Sequence, residues 1–355
     1  MTRDYSQLFP SATPATAPSA LARLGWQPFF AAQIDADTLT ATPPVRVTAV
    51  HRSGLRVTGD GIEAELPPDE AVTVGDWLLY DADHPADSVL LERKSVIRRR
   101  AAGREAKVQL IAANIDTVFI VSSCNADFNV ARLERYVALA FEAEVDPVIL
   151  LTKADLAADP QDFVTQAQAI SSRVPVIALD ARGEAPRTAL AQWAKPGRTV
   201  AFLGSSGVGK STLTNALADT ELDTQGVRED DAKGRHTTRH RQLYLTDTGP
   251  AVLDTPGMRE LQLTDVAAGL SELFDDIEDL ATRCKFRNCA HEGEPDCAVQ
   301  AAIAAGELDP VRLTRFRKLA AEEAHNTATV AQKRAREKGF AKHVKRVTRE
   351  KPNRR

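Results

Sequence analysis

Gly204-Ser205-Ser206-Gly207-Val208-Gly209-Lys210-Ser211 is the stretch that decides the fold. Glycine, four residues, glycine, lysine and a hydroxyl residue is the spacing of a phosphate-binding P-loop. An apolar run at 199–203 precedes it, and a helix-forming run starting at Thr212 and reaching residue 218 follows. Strand, glycine turn and helix in that order let backbone N–H groups close around phosphate oxygens, while the helix N-terminus adds positive potential. In such a loop Lys210 reaches the β- and γ-phosphates and Ser211 ligates Mg²⁺.

Outward from the loop, strand-like and helix-like periods alternate. Residues 116–122, 147–151, 174–178 and 198–203 are mainly apolar, and 130–144, 161–172 and 188–194 have helical spacing. This alternation implies a parallel sheet covered on both faces. Residues 242–245 and 251–254 add a hairpin. Asp254-Thr255-Pro256-Gly257 ends its second strand, where Asp254 can hold Mg²⁺ through water and the Gly257 N–H can meet the γ-phosphate.

Base choice falls to Thr152-Lys153-Ala154-Asp155, after the strand 148–151. The Asp155 carboxylate can accept from N1–H and the 2-amino group of guanine, and adenine offers neither donor, so the geometry selects GTP. The stem of Lys153 can lie over the purine. Thr152 stands where Asn is usual, which removes an amide that would tie base and loops together; the expectation is looser binding with specificity kept. Asp180-Ala181 stands where a second base loop would fall. Ordinary GTPases run P-loop, D-x-x-G, guanine motif. Here the guanine motif comes first, so the sheet is circularly permuted.

On the N-terminal flank, short β-type runs at 45–50, 55–58, 62–66, 77–80 and 89–91 are punctuated by Gly54, Gly59-Asp60-Gly61, Pro67-Pro68 and Gly75-Asp76. Five strands in so few residues point to a small OB-like barrel. A basic joint follows, with Arg93, Lys94, Arg98, Arg99, Arg100, Arg104 and Lys107, either an exposed linker or an RNA contact. On the C-terminal flank, Cys284-x4-Cys289-x-His291-x5-Cys297 offers three thiolates and one imidazole. Those four donors close a tetrahedral shell around one structural Zn²⁺ per chain and leave no position open for water. Cys124 stands apart and reads as a core residue. The expected domains are a flexible segment over 1–40, the barrel over 41–97, the GTPase over 98–263, a helical zinc-binding domain over 264–325 and a basic tail over 326–355.

The 355 residues are 43% hydrophobic and 26% charged, without an apolar run long enough to span a membrane. Four cysteines in this length exclude a disulfide scaffold. The start of the chain lacks the basic and apolar parts of a signal peptide. From residue 311 onward there are 15 Lys/Arg against 4 Glu, so a net of −4 for the whole conceals a +11 tail on a −15 body. A basic tail fits either a polyanion partner, nucleic acid first, or a solvated charged helix. With no aromatic residue after Phe340 it would grip phosphates without stacking bases, which suits structured rRNA.

Taken together, residues 152–155, 204–212, 234–238, 254–257 and 284–297, joined by Ala112-Ala113-Asn114-Ile115-Asp116, resemble the ribosome small-subunit-dependent GTPase A (RsgA) family over roughly 45–320. The resemblance implies a cytoplasmic, monomeric, zinc-containing enzyme that turns GTP into GDP and binds the 30S subunit and its rRNA late in maturation, with slow hydrolysis stimulated by the 30S. It also makes Gly234-Arg235-His236-Thr237-Thr238 the first switch. Thr237 or Thr238 could complete the Mg²⁺ shell. Met258 occupies the position of the usual water-orienting Gln, so His236 becomes the local candidate to position or deprotonate water, unless it touches RNA or merely packs. Arg235 could neutralise developing charge or grip an RNA phosphate. Two other readings stay open: an RNA-binding assembly factor using GTP only as a conformational switch, and a P-loop ATPase or kinase.

Overall fold

The computed structural model describes residues 19–100, 108–218, 241–246, 249–254 and 265–327. The chain begins with three short helices, α1 (Ala20–Arg23), α2 (Pro28–Ala31) and α3 (Ala36–Ala41), where the composition pointed to a flexible segment. Side-chain caps start two of them: Ser19 accepts from the Ala22 N–H at 3.1 Å and Asp35 from that of Thr38 at 2.7 Å. Their apolar residues Leu24 and Phe30 are buried with Trp77, Leu79 and Leu91, and the Trp26 ring meets that of Trp77 edge-on at 4.8 Å. That aromatic contact fixes helices otherwise too short to be stable.

Five antiparallel strands follow, β1 (Pro44–His51), β2 (Gly54–Gly59), β3 (Glu63–Leu66), β4 (Trp77–Leu79) and β5 (Val89–Leu90), in the order β3-β2-β1-β4-β5. Val45, Val47, Leu55 and Val57 alternate inward. Among the described residues β3 and β5 do not pair, so the barrel is partly open. Within the described part of the basic joint, β6 (Val96–Arg100) pairs with β7 (Val108–Ala113) as a two-stranded antiparallel ribbon that crosses the boundary expected between residues 97 and 98.

The central sheet contains β8 (Thr117–Ser123), α4 (Val130–Glu142), β9 (Asp146–Thr152), α5 (Pro160–Gln168), β10 (Val176–Ala178), α6 (Ala185–Leu190), β11 (Thr199–Gly204), α7 (Lys210–Ala218), β12 (Arg241–Tyr244) and β13 (Ala251–Asp254). Its order is β10-β9-β8-β11-β13-β12, parallel except for β12, whose far edge pairs with β1 through Ala49↔Gln242 and Val50↔Arg241. From β8 the chain moves outward to β10, then returns to lay β11 on the other side of β8. Strand order thus reverses between β8 and β11, and a crevice opens at the carboxyl ends of the strands there.

The C-terminal part is helical: α8 (Ala267–Leu273), α9 (Asp275–Ala281), α10 (Ala298–Ala304) and α11 (Pro310–Thr327). Gly269 lets α8 press onto α4, since a Cβ there would stand 2.1 Å from the Ala138 carbonyl oxygen. Arg315 of α11 donates through Nε to both oxygens of the buried Glu134 on α4, at 2.8 and 2.9 Å. A second polar junction joins the barrel to the sheet. The buried Arg46 guanidinium donates to the carbonyls of Leu24 and Asn114 and to the Thr199 hydroxyl at 2.7 Å. Burial lowers its pKa to about 10, so it stays charged at neutral pH.

Candidate functional site: a nucleotide cleft and a metal centre

The carboxyl ends of β9, β10 and β11 deliver part of the expected site to one cleft of about 210 Å³, lined among others by Thr152, Asp155, Asp180, Ala181, Val208 and Thr212. Gly204 ends β11 so close to β8 that a Cβ would lie 2.2 Å from the Val121 carbonyl oxygen. Residues 205–209 form the turn, with Gly207 and Gly209 at φ +77° and +100°, and Lys210 opens α7 with Ser211 in its first turn. The Lys210 ammonium donates to the carbonyls of Gly204, at 2.8 Å, and Ser205. A cation folded over loop carbonyls in this way is available to exchange them for phosphate oxygens.

Thr152 does more than its place in the sequence promised. Its hydroxyl lies 2.6 Å from the Val208 carbonyl oxygen in the phosphate loop and 3.1 Å from that of Ser122 at the end of β8. Where the usual Asn would supply an amide, a hydroxyl thus ties the two loops together. Gly209 sits at the same junction: a Cβ on it would meet Ala181 Cβ at 3.6 Å and Thr152 Cγ2 at 3.7 Å. Lys153 adopts the left-handed conformation (φ 57°), which lets a 3-10 turn over Ala154–Leu156 begin at once and carry Asp155 to the rim. There Asp155 meets Arg182, which also holds Asp180. The Arg182 fork pulls the Asp180 carboxyl below its ordinary value, and Asp180 in turn raises the guanidinium.

Asp254 closes β13 beside β11, at the same edge of the sheet. Gly257, Arg235, His236, Thr237, Thr238 and Met258 lie outside the described residues, as do Arg104, Lys107 and the basic tail from residue 328.

The second centre is the cysteine–histidine cluster, whose four candidate ligand atoms all lie within 4.8 Å of one another. Cys284 Sγ is 3.8 Å from Cys297 Sγ and 3.7 Å from His291 Nδ1, and Cys297 Sγ is 3.5 Å from that nitrogen. Tetrahedral zinc with Zn–S bonds of about 2.3 Å sets sulfurs about 3.8 Å apart, so the donor set fits that ion. The loop is preshaped by Glu294, whose carboxylate accepts from the N–H groups of Ala290, Glu292 and Gly293 at 2.7, 2.8 and 3.1 Å. Backbone N–H groups, including its own, pull its pKa down to about 2. Cys297 doubles as the N-cap of α10. Cys124 is buried in the main core, where burial raises its thiol pKa.

This arrangement has close relatives. The RsgA GTPase family profile matches residues 90–264, and an ABC transporter profile matches 190–339, a span that includes the phosphate loop. The chain is 46% identical over 334 residues to the small ribosomal subunit biogenesis GTPase RsgA 2 of Vibrio vulnificus, covering 93% of this chain and 95% of that protein. With the small ribosomal subunit biogenesis GTPase RsgA of Mesorhizobium japonicum it shares 50% over 327 residues, covering 89% and 93%. The chain belongs to the RsgA GTPase family. Two solved structures agree in fold. YjeQ from Thermotoga maritima has a TM-score of 0.56 at 25% identity, covering 78% of this chain and 96% of its own. YloQ, described as a circularly permuted GTPase, has a TM-score of 0.55 at 24% identity, covering 81% and 96%. As an RsgA-family GTPase the chain is a GTP hydrolase. Arg182 and Leu156 line the cleft without having been expected there, and the only signal for Arg182 was a cation two residues beyond Asp180.

Proposed function

We propose that this GTPase acts in biogenesis of the small ribosomal subunit in the cytoplasm, docking as a monomer on the 30S particle and its rRNA and hydrolysing GTP slowly until the particle stimulates it. The observation that carries the reading is the convergence of two base loops and a phosphate loop on one cleft, tied through the Thr152 hydroxyl. Asp155 reads the guanine edge, Asp180 and Ala181 border the base, and the N–H groups of residues 204–212 take the phosphates. Lys210 neutralises charge on the β- and γ-phosphates, while Ser211, Asp254 and Thr237 or Thr238 hold Mg²⁺, which polarises the phosphoryl group when bound. His236 positions water in place of the usual glutamine. Cys284, Cys289, His291 and Cys297 hold one structural Zn²⁺ that closes the loop between α9 and α10. Barrel, GTPase and zinc-binding parts divide near residues 41, 98 and 264, with the β6–β7 ribbon spanning the second division. No described helix is long and apolar enough to cross a membrane.

The test is phosphate release from GTP and from ATP, with and without purified 30S subunits. Release from GTP alone, raised by 30S and abolished by Lys210→Ala, is expected. Equal turnover of ATP would point to a P-loop ATPase or kinase. GTP-dependent 30S binding without turnover would leave an assembly factor that uses GTP as a conformational ligand. His236→Ala should lose most of the 30S stimulation while keeping GTP and 30S binding; a normal response would move that role to a ribosomal group.

A further inference from the structure

Arg182 is left over by this account, yet it lines the base cleft beside Asp155 and Asp180. Its Nε donates to both Asp180 oxygens, at 2.9 and 3.2 Å, and its Nη2 donates to Asp180 Oδ2 at 2.9 Å. The same Nη2 donates to Asp155 Oδ2 at 2.7 Å. A guanidinium edge carries paired N–H donors on a planar N–C–N frame. In Arg182 that paired edge faces Asp180 and one Nη2 N–H is left for Asp155, whereas guanine offers a carboxylate both N1–H and the 2-amino group.

We propose that Arg182 is a specificity-determining residue whose Nη2 N–H competes with the guanine edge for Asp155. The inference rests on the reading of Asp155 as the guanine acceptor. In the cleft Arg182 takes Asp155 Oδ2, while Oδ1 has no hydrogen-bond partner among the described residues. Guanine pairs one N–H with each oxygen and so competes with Arg182 for Oδ2. Hypoxanthine keeps N1–H but lacks the 2-amino group, so the open oxygen suffices and Arg182 can stay. Arg182 thereby weakens guanine nucleotides selectively and narrows the preference for guanine over hypoxanthine.

The displaced side chain does not leave the site. Asp180 grips it with two guanidinium nitrogens and also accepts from its backbone N–H at 3.0 Å, so release breaks a single contact and Arg182 remains poised to return. The Arg182 side chain is 68% exposed and that of Asp155 31%, so the contact is screened by water and salt and its effect is modest.

The experiment is a titration of unmodified protein and Arg182→Ala with GDP, IDP and ADP, at low and at high salt. Arg182→Ala should bind GDP about two- to fivefold more tightly, the range an exposed ion pair spans. IDP affinity should stay unchanged, so the ratio of GDP to IDP affinity widens. High salt should shrink the difference between variant and unmodified protein. Equal changes for GDP and IDP, or weaker GDP binding by the variant, would overturn the competition while leaving the guanine reading intact. Unmodified protein that binds ADP as well as GDP would overturn the guanine reading itself, and the competition with it.

Discussion

At the scale of single residues, the cleft depends on contacts that a hydroxyl or a carboxylate makes across long stretches of sequence. Thr152→Val keeps shape but removes the donor to the Val208 carbonyl, both groups being buried. An unsatisfied buried acceptor costs about 1–3 kcal/mol, and loosening the two loops should weaken GDP binding about tenfold in a fluorescence titration. Unchanged affinity would mean the tie is idle. Asp155→Asn replaces an acceptor by a mixed group and should weaken GTP while admitting xanthine nucleotides, read by competition with XTP. The motif residues were legible because phosphate and base chemistry dictate residue type and spacing together. The Thr152–Val208 tie was not, since a backbone carbonyl as partner leaves no trace in sequence. Arg182 was missed for a related reason: 27 positions separate it from Asp155, and only the parallel register of β9 and β10 brings them together.

At the scale of elements, periodicity located each strand of the central sheet and of the barrel to within a residue or two, because apolar faces repeat wherever they are buried. It failed where burial is one-sided or slight. In β6 the run Arg98-Arg99-Arg100 reads as a solvated linker, although backbone pairing with β7 needs no apolar face. The helices α1 to α3 are four to six residues long, too short to display a period. One element contact makes a quantitative prediction. Glu134 is fully buried in α4, and burial pushes its carboxyl up even though Arg315 opposes the shift. Arg315→Ala would leave that carboxylate alone between α4 and α11 and should destabilise the protein by about 3–5 kcal/mol, measured by chemical denaturation. The double change Glu134→Leu with Arg315→Met should recover most of the loss, because the desolvated charge is gone.

At the scale of the whole molecule, two junctions hold the parts. The Cys284–Cys297 loop should keep one zinc through extensive dialysis, and Cys297→Ala should release it and lower the melting temperature; metal-free protein with unchanged melting would contradict the assignment. Asp116 anchors the other junction, bonded to Gln27 at 2.9 Å, Lys94 at 2.8 Å, Arg198 at 3.0 Å and the Thr199 N–H at 2.8 Å. Burial alone would raise its pKa, but these partners outweigh it and hold the carboxyl below its ordinary 3.8. The ionised form is therefore the stabilising one. Its contribution is fully present above about pH 4 and is lost as pH falls through the lowered folded-state value. Asp116→Asn should melt lower at pH 7 and show a flatter acid limb; curves that stay parallel would rule this out. The pairing of β12 with β1 has a consequence for synthesis. On the ribosome the N-terminal strands emerge first, yet the strand that covers the β1 edge follows about 190 residues later. Until then the Ala49–Val50 end of β1, beyond the stretch that β4 pairs, stands bare, a template for the wrong strand. Translation speed through the intervening stretch, and any chaperone that shields the nascent barrel, therefore bear on how much chain reaches the native state.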